Sequence, residues 1–102
     1  METKAKVITI CGSLKYQKEI MKQSEKLALE GNCVLSIVYP THDMTYYTEE
    51  QIELLGKMHK QRIDLSDSIF VVNAGGYIGS KTQSEIEYAK EQNKEILYLE
   101  EI

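Results

Sequence analysis

Residues 63–89, IDLSDSIFVVNAGGYIGSKTQSEIEYA, decide the fold. Ile69, Phe70, Val71 and Val72 form a short unbroken apolar run, as expected of a strand covered on both faces in a parallel sheet, and the strand is read over residues 68–73. Ala74-Gly75-Gly76 breaks it, a polar loop runs from Gly76 to Ser80, and a helix begins near Lys81 and Thr82. Open α/β sheets bind ligands in such loops, beyond the C-terminal ends of their strands. Glu85 falls within a turn of that helix start, facing the same crevice. A carboxylate beside a glycine-lined polar loop is the feature to be explained.

Outward from this stretch the chain alternates strands and helices. Residues 6–11 (KVITIC) are β-branched and apolar, and Gly12-Ser13 ends that first strand. Ser13 suits the N-cap of a helix over about residues 14–30, with Tyr16, Ile20, Ser24, Leu27 and Ala28 at helical spacing and Gly31-Asn32 as its stop. Residues 33–38 (CVLSIV) are the second strand, and the irregular stretch 39–48 holds Pro40, His42, Asp43, Tyr46 and Tyr47. Thr48-Glu49-Glu50-Gln51 is a capping box opening a second helix to about residue 65, with Ile52, Leu55, Met58 or His59, and Ile63 as its apolar positions. A third helix over about residues 82–92 and a fourth strand over 95–99 (EILYL) complete the order. Strands joined by helices pair in parallel through right-handed crossovers. The expectation is one α/β domain over residues 1–102, a Rossmann-like or flavodoxin-like three-layer sandwich. Its parallel sheet has four to five strands in the order 2-1-3-4, with helices on both faces. The switch point between strands one and three then brings Gly12-Ser13 and the loop of residues 75–80 to one crevice.

Composition narrows the function. At 102 residues the chain is one domain, and 42% hydrophobic with 27% charged residues is ordinary for a globular protein. A net charge of −4, a single arginine (Arg62) and no basic cluster argue against a nucleic-acid polymer as partner. Cys11 and Cys33 lie at or beside the buried strands and are read as reduced core residues of a cytoplasmic protein. There is no CxxC or Cys/His cluster to hold a metal, no apolar run near the ~20 residues that span a bilayer, and no signal-peptide core in METKAK.

Several residues carry possible chemistry, each with a plainer alternative. Gly12-Ser13 offers backbone N–H groups, a hydroxyl and a helix dipole to an anion; the plain alternative is a helix cap. Neither GxGxxG nor GxxxxGK[ST] occurs. The loop holding Gly75, Gly76, Tyr77, Gly79 and Ser80, with Thr82 just beyond, has more glycines and hydroxyls than a turn needs. Glu85 either complements its helix dipole or, desolvated, acts as a nucleophile or stabilises a cation. His59 lies on the apolar face of helix two, and Asp64 and Asp67 bracket the entry to strand three, where a turn residue bonding local backbone is the plain reading of Asp67. His42 sits in the loop after strand two, and Tyr46, Tyr47 and Tyr77 either stack on a base or serve an interface or lid.

ICGS at residues 10–13, His59 followed by IDLSDSIFVVN, and GYIGSKTQSEIEYA at 76–89 resemble the nucleoside 2-deoxyribosyltransferase superfamily. The likeness is to its small branch, which includes 2′-deoxynucleoside 5′-monophosphate N-glycosidases, and spans about residues 6–99. The resemblance implies a Rossmann-like fold, cleavage of an N-glycosidic bond with Glu85 at the sugar C1′, and a phosphate site on Gly12, Ser13 and Ser80. It implies His42 as a loop histidine near the substrate, a homodimer or higher oligomer whose neighbour completes the pocket, and no metal or organic cofactor. The chain departs from the family at Thr9, where its hydrolases carry a tyrosine, near His59, where they place an aspartate, and at Glu87, which replaces a glycine.

The expected site has Glu85, with His59 or Asp67 assisting, as its catalytic group. Cys11, Gly12, Ser13, His42, Gly76, Tyr77, Gly79, Ser80 and Thr82 surround a nucleoside or nucleoside monophosphate. Water as acceptor gives hydrolysis and a second base gives transfer. The alternative is a non-catalytic module sequestering a nucleotide or ADP-ribose-like signal in the same crevice, and a third possibility is an oligomerising scaffold with an empty cleft.

Overall fold

The computed structural model describes residues 5–102, so the N-terminal METK of the signal-peptide reading lies outside the described residues. Four strands form one parallel sheet: β1 (Val7–Gly12), β2 (Cys33–Leu35), β3 (Ser68–Val72) and β4 (Glu95–Tyr98), in the order β2-β1-β3-β4. Three α-helices connect them, α1 (Gln17–Leu29), α2 (Glu49–Asp64) and α3 (Ser80–Glu91), giving the three-layer α/β sandwich expected from the sequence. Among the described residues no helix is long and apolar enough to cross a membrane.

Alternation along the strands builds two cores. Ile8, Ile10 and Val72 point to one face and meet Ile20 and Leu27 of α1. Cys11, Ile69 and Val71 point to the other and meet Ile63 of α2 with Ile86 and Ala89 of α3. Each fully buried aliphatic side chain contributes about 1.5–3 kcal/mol by leaving water. Thr9 shares the second face but is tied by polar contacts, its hydroxyl donating to the Arg62 carbonyl at 3.0 Å and touching the Ser66 hydroxyl.

Local chemistry sets most boundaries. Thr48 accepts from the Gln51 N–H while the Gln51 side chain accepts from the Thr48 N–H, closing the capping box at the start of α2. Ser13 caps a 3₁₀ turn over Leu14–Tyr16 that leads into α1. Where the sequence reading differs, the sheet edge explains it. β2 ends at Leu35 rather than at residue 38, because it is an edge strand paired only to β1 and the chain then turns away towards Pro40. Cys33 is exposed rather than in the core, since α2 and α3 cover β1, β3 and β4 and leave its side of β2 open. On α1, Gln23 takes the buried place expected of Ala28, bonded to Glu19 at 2.8 Å. Helix α3 starts at Ser80, two residues before the expected Thr82.

The C-terminal end of the sheet is closed by a side chain. Buried Asn73, just past β3, donates to the Glu100 carbonyl at 3.0 Å and accepts from the Glu100 N–H at 2.9 Å, as a further strand residue would. The Glu100 carboxylate in turn accepts from the Gly75 N–H at 2.7 Å, where Gly75 holds φ +64°.

Candidate functional site

A cavity of about 300 Å³ opens at the C-terminal edge of β1, between the β2–α2 connection and the β3–α3 loop. Its floor is made by two helix faces. On α3 the inward positions are Thr82, Glu85, Ile86 and Ala89, so Glu85 occupies a core place in an otherwise small or apolar stripe. On α2 the inward stripe ends in His59 and Ile63. Packing α2 beside α3 over β1 brings Glu85, His59 and Cys11 together: His59 Nε2 lies 3.6 Å from Cys11 Sγ and 3.8 Å from Glu85 Oε1.

Desolvation governs how these groups titrate. Burial raises the Glu85 carboxyl to about 7, against the opposing pull of Lys81, the Cys11 thiol and Lys60. The same burial, helped by the positive charges of Arg62 and Lys81, lowers the His59 imidazole to about 4, against a smaller opposing pull from the Ile10 backbone. Cys11 is pushed well up by burial and by the neighbouring Glu85, so it stays a thiol. At neutral pH the imidazole is therefore uncharged, and the His59–Glu85 contact is a polar approach rather than an ion pair.

The rim supplies anion-binding groups. Gly79 is the N-cap of α3 and offers no side-chain cap, leaving the first N–H groups of the helix to a ligand. A Cβ on Gly79 would sit 3.2 Å from the Tyr77 hydroxyl, so this position keeps the loop close to Tyr77. Tyr77 lies beside Lys15, whose ammonium is 4.6 Å from the ring centroid. Ser13, Ser80 and Lys81 complete this side of the cavity.

Of the expected site residues, Gly12, Ser13, His59, Tyr77, Gly79, Ser80, Thr82 and Glu85 line the cavity together. Cys11 lies beneath them, fully buried against His59. Gly76 stays outside the lining, turning the loop at φ +81°. His42 is also outside: it is exposed and stacked on Tyr46, ring centroids 3.9 Å apart. Asp67 sits at the opposite edge of the sheet, where its carboxylate accepts from the Val7 N–H at 2.8 Å, so it does not join Glu85. The cavity also takes in residues that the sequence reading left out. Arg62, one turn beyond His59, places Nη1 3.5 Å from His59 Nδ1, and Lys81 stands in the first turn of α3. Ile37, Val38, Pro40, Met44, Ile52 and Leu55 form an apolar wall. The i, i+3 spacing of the only arginine from His59 was the available signal for Arg62. The apolar wall gave none, because residues 37 and 38 read as strand.

Cys11, His59 and Glu85 present donor atoms within 4.8 Å of one another, a set that a zinc-class cation accepts. The positive charges acting on this cluster, Arg62, Lys81 and Lys60, oppose a cation and favour an anionic ligand. No protein-family model matches the chain, and no curated protein matches it.

Proposed function

We propose that the chain cleaves the N-glycosidic bond of a nucleoside or nucleoside 5′-monophosphate, with Glu85 at the anomeric carbon. The observation that carries this reading is a carboxyl only 7% exposed, set in the buried stripe of α3, that opens onto a cavity rimmed by a free helix N-terminus and hydroxyls. A desolvated carboxylate stabilises an oxocarbenium-like sugar strongly, because no water competes for it. The Glu85 carboxylate bonds to C1′, the C1′–N bond breaks, and its electron pair leaves with the base, which takes a proton from solvent. Water then adds at C1′, gives up a proton and releases Glu85; a second base in place of water gives transfer. His59 positions the Glu85 carboxyl, and a 5′-phosphate sits at the α3 N-terminus with Ser13, Ser80 and Lys81.

The test is chromatography of deoxynucleosides and their monophosphates after incubation with the protein. Wild type is expected to release free base, and Glu85→Gln to slow release by about 10³-fold or more. Release undiminished in Glu85→Gln would overturn the mechanism.

A second reading, a non-catalytic nucleotide-binding module, is favoured by one observation: Glu85 is the only carboxylate lining the cavity among the described residues, so no second carboxylate stands opposite it. It predicts intact ligand together with a thermal shift. Either reading includes assembly with a second copy, supported by exposed Leu54 and Met58 one turn apart on α2. Sedimentation is expected to show a dimer or larger.

A further inference from the structure

We infer that a groove between α2 and α3 is a second anion site, taking a compact dianion of the sulfate or phosphate class. The site stands apart from the glycosidase reading, and only its effect on catalysis rests on that reading. The groove encloses about 280 Å³ and shares only Lys81 and Glu85 with the main cavity. From α2 it receives Glu53, Gly56, Lys57 and Lys60, a stripe at helical spacing beside the Ile52, Leu55 and His59 stripe that faces the main cavity. From α3 it receives Lys81 and Ser84, again about one turn apart. Gly56 keeps the groove open: an added Cβ there meets nothing within 4 Å.

Charge decides the occupant. The groove gathers three ammonium groups against one exposed carboxylate, Glu53, in a chain whose net charge is −4. Among the described residues none of Lys57, Lys60 and Lys81 has a carboxylate partner, and the Lys60 ammonium lies 5.5 Å from the Tyr88 ring centroid instead. An oxyanion with several acceptor atoms relieves the mutual repulsion of these cations and accepts from each of them. Ser84 adds a hydroxyl donor. The one buried member is Glu85: its protonated carboxyl donates to the anion, whereas its ionised form repels it. The other groups around Glu85 keep one charge state near pH 7. Cys11 of β1 stays a thiol, His59 of α2 is neutral, and Arg62, Lys60 and Lys81 supply positive charge. Anion binding is therefore tied to the Glu85 proton and weakens as pH rises through about 7. The coupling is reciprocal: a bound anion keeps Glu85 protonated to higher pH and withholds the carboxylate that the proposed reaction needs.

Equilibrium dialysis of radiolabelled sulfate at constant ionic strength tests this, because sulfate, unlike phosphate, keeps one charge across neutral pH. Wild type is expected to bind it, and Lys57→Gln to bind it about fivefold more weakly. Gly56→Leu fills the groove from a helical position where leucine is preferred to glycine, and should abolish binding with Tm unchanged or raised. Affinity should fall by about fivefold or more as pH rises through about 7, and should stay level in Glu85→Gln. Displacement of sulfate by methyl phosphate would extend the site to phosphoryl esters, and failure to displace would confine it to the free ion. Absence of binding overturns the inference, and so does binding that Lys57→Gln and Gly56→Leu both retain, which puts the sulfate in the main cavity. A pH dependence that survives in Glu85→Gln overturns the coupling. Sulfate binding with no base release leaves the inference standing and removes the glycosidase reading; base release with no sulfate binding does the reverse.

Discussion

Glu85 and His59 are shifted in opposite senses by the same burial, and the two shifts work against each other in the stability of the protein. The folded Glu85 keeps a proton that the unfolded chain loses from about 4.5, so its contribution falls as pH rises from about 4.5 to about 7. The folded His59 refuses a proton that the unfolded chain binds below 6.5, so its contribution rises from about pH 4 to 6.5. Each is worth roughly 3 kcal/mol, and they offset one another across most of that range. Urea unfolding of the wild type should therefore vary little over it, whereas Glu85→Gln should gain roughly 3 kcal/mol between about pH 4 and 6.5. His59→Asn should lose stability over about pH 4.5 to 7 instead. Flat profiles in both variants would mean that the two side chains are far better hydrated than the structure has them. For the proposed reaction the carboxylate is the active form, so base release should rise with pH through about 7 and then level off.

At the scale of elements, Asp67 shows which edge of the sheet a residue serves. It precedes β3 and bonds the Val7 N–H, pinning the starts of β1 and β3 together, while the cavity lies at their far ends. A five-residue strand separates entry from exit by about 16 Å. Asp67→Ala should thus cost about 1 kcal/mol in denaturant unfolding and leave kcat/KM for the proposed base release unchanged. A large fall in kcat/KM at full stability would place Asp67 in the reaction after all. The same element explains what the sequence made legible. The apolar run of β3, the Thr48 capping box and the α3 stripe each follow from local pattern, and with parallel pairing they yield the sheet order and bring Ser13, Ser80 and Glu85 to one crevice. The early end of β2 and the apolar wall that follows it depend on which strand lies at the sheet edge. Residues 37 and 38 look the same in sequence whether they pair or line a cavity.

In the molecule as a whole, the sheet separates two cores that share no side chains, and the two cysteines report on different parts of it. Cys33 is exposed on the edge strand and should react at once with a thiol reagent, whereas Cys11, fully buried, should react only as fast as the second core opens. Mass spectrometry of a timed alkylation would show one label rapidly and the second with the kinetics of unfolding. Two rapid labels would mean that the floor of the cavity opens locally. The clasp between Asn73 and Glu100 has a consequence of another kind. Because the Glu100 carboxylate also holds Gly75, the glycine loop has surrendered its conformational freedom on folding rather than on meeting a ligand. Glu100→Ala should therefore weaken the proposed nucleotide binding through a larger entropic penalty while the heat of binding stays nearly the same, making a residue that lies outside the cavity lining a determinant of how much disorder each binding event must remove.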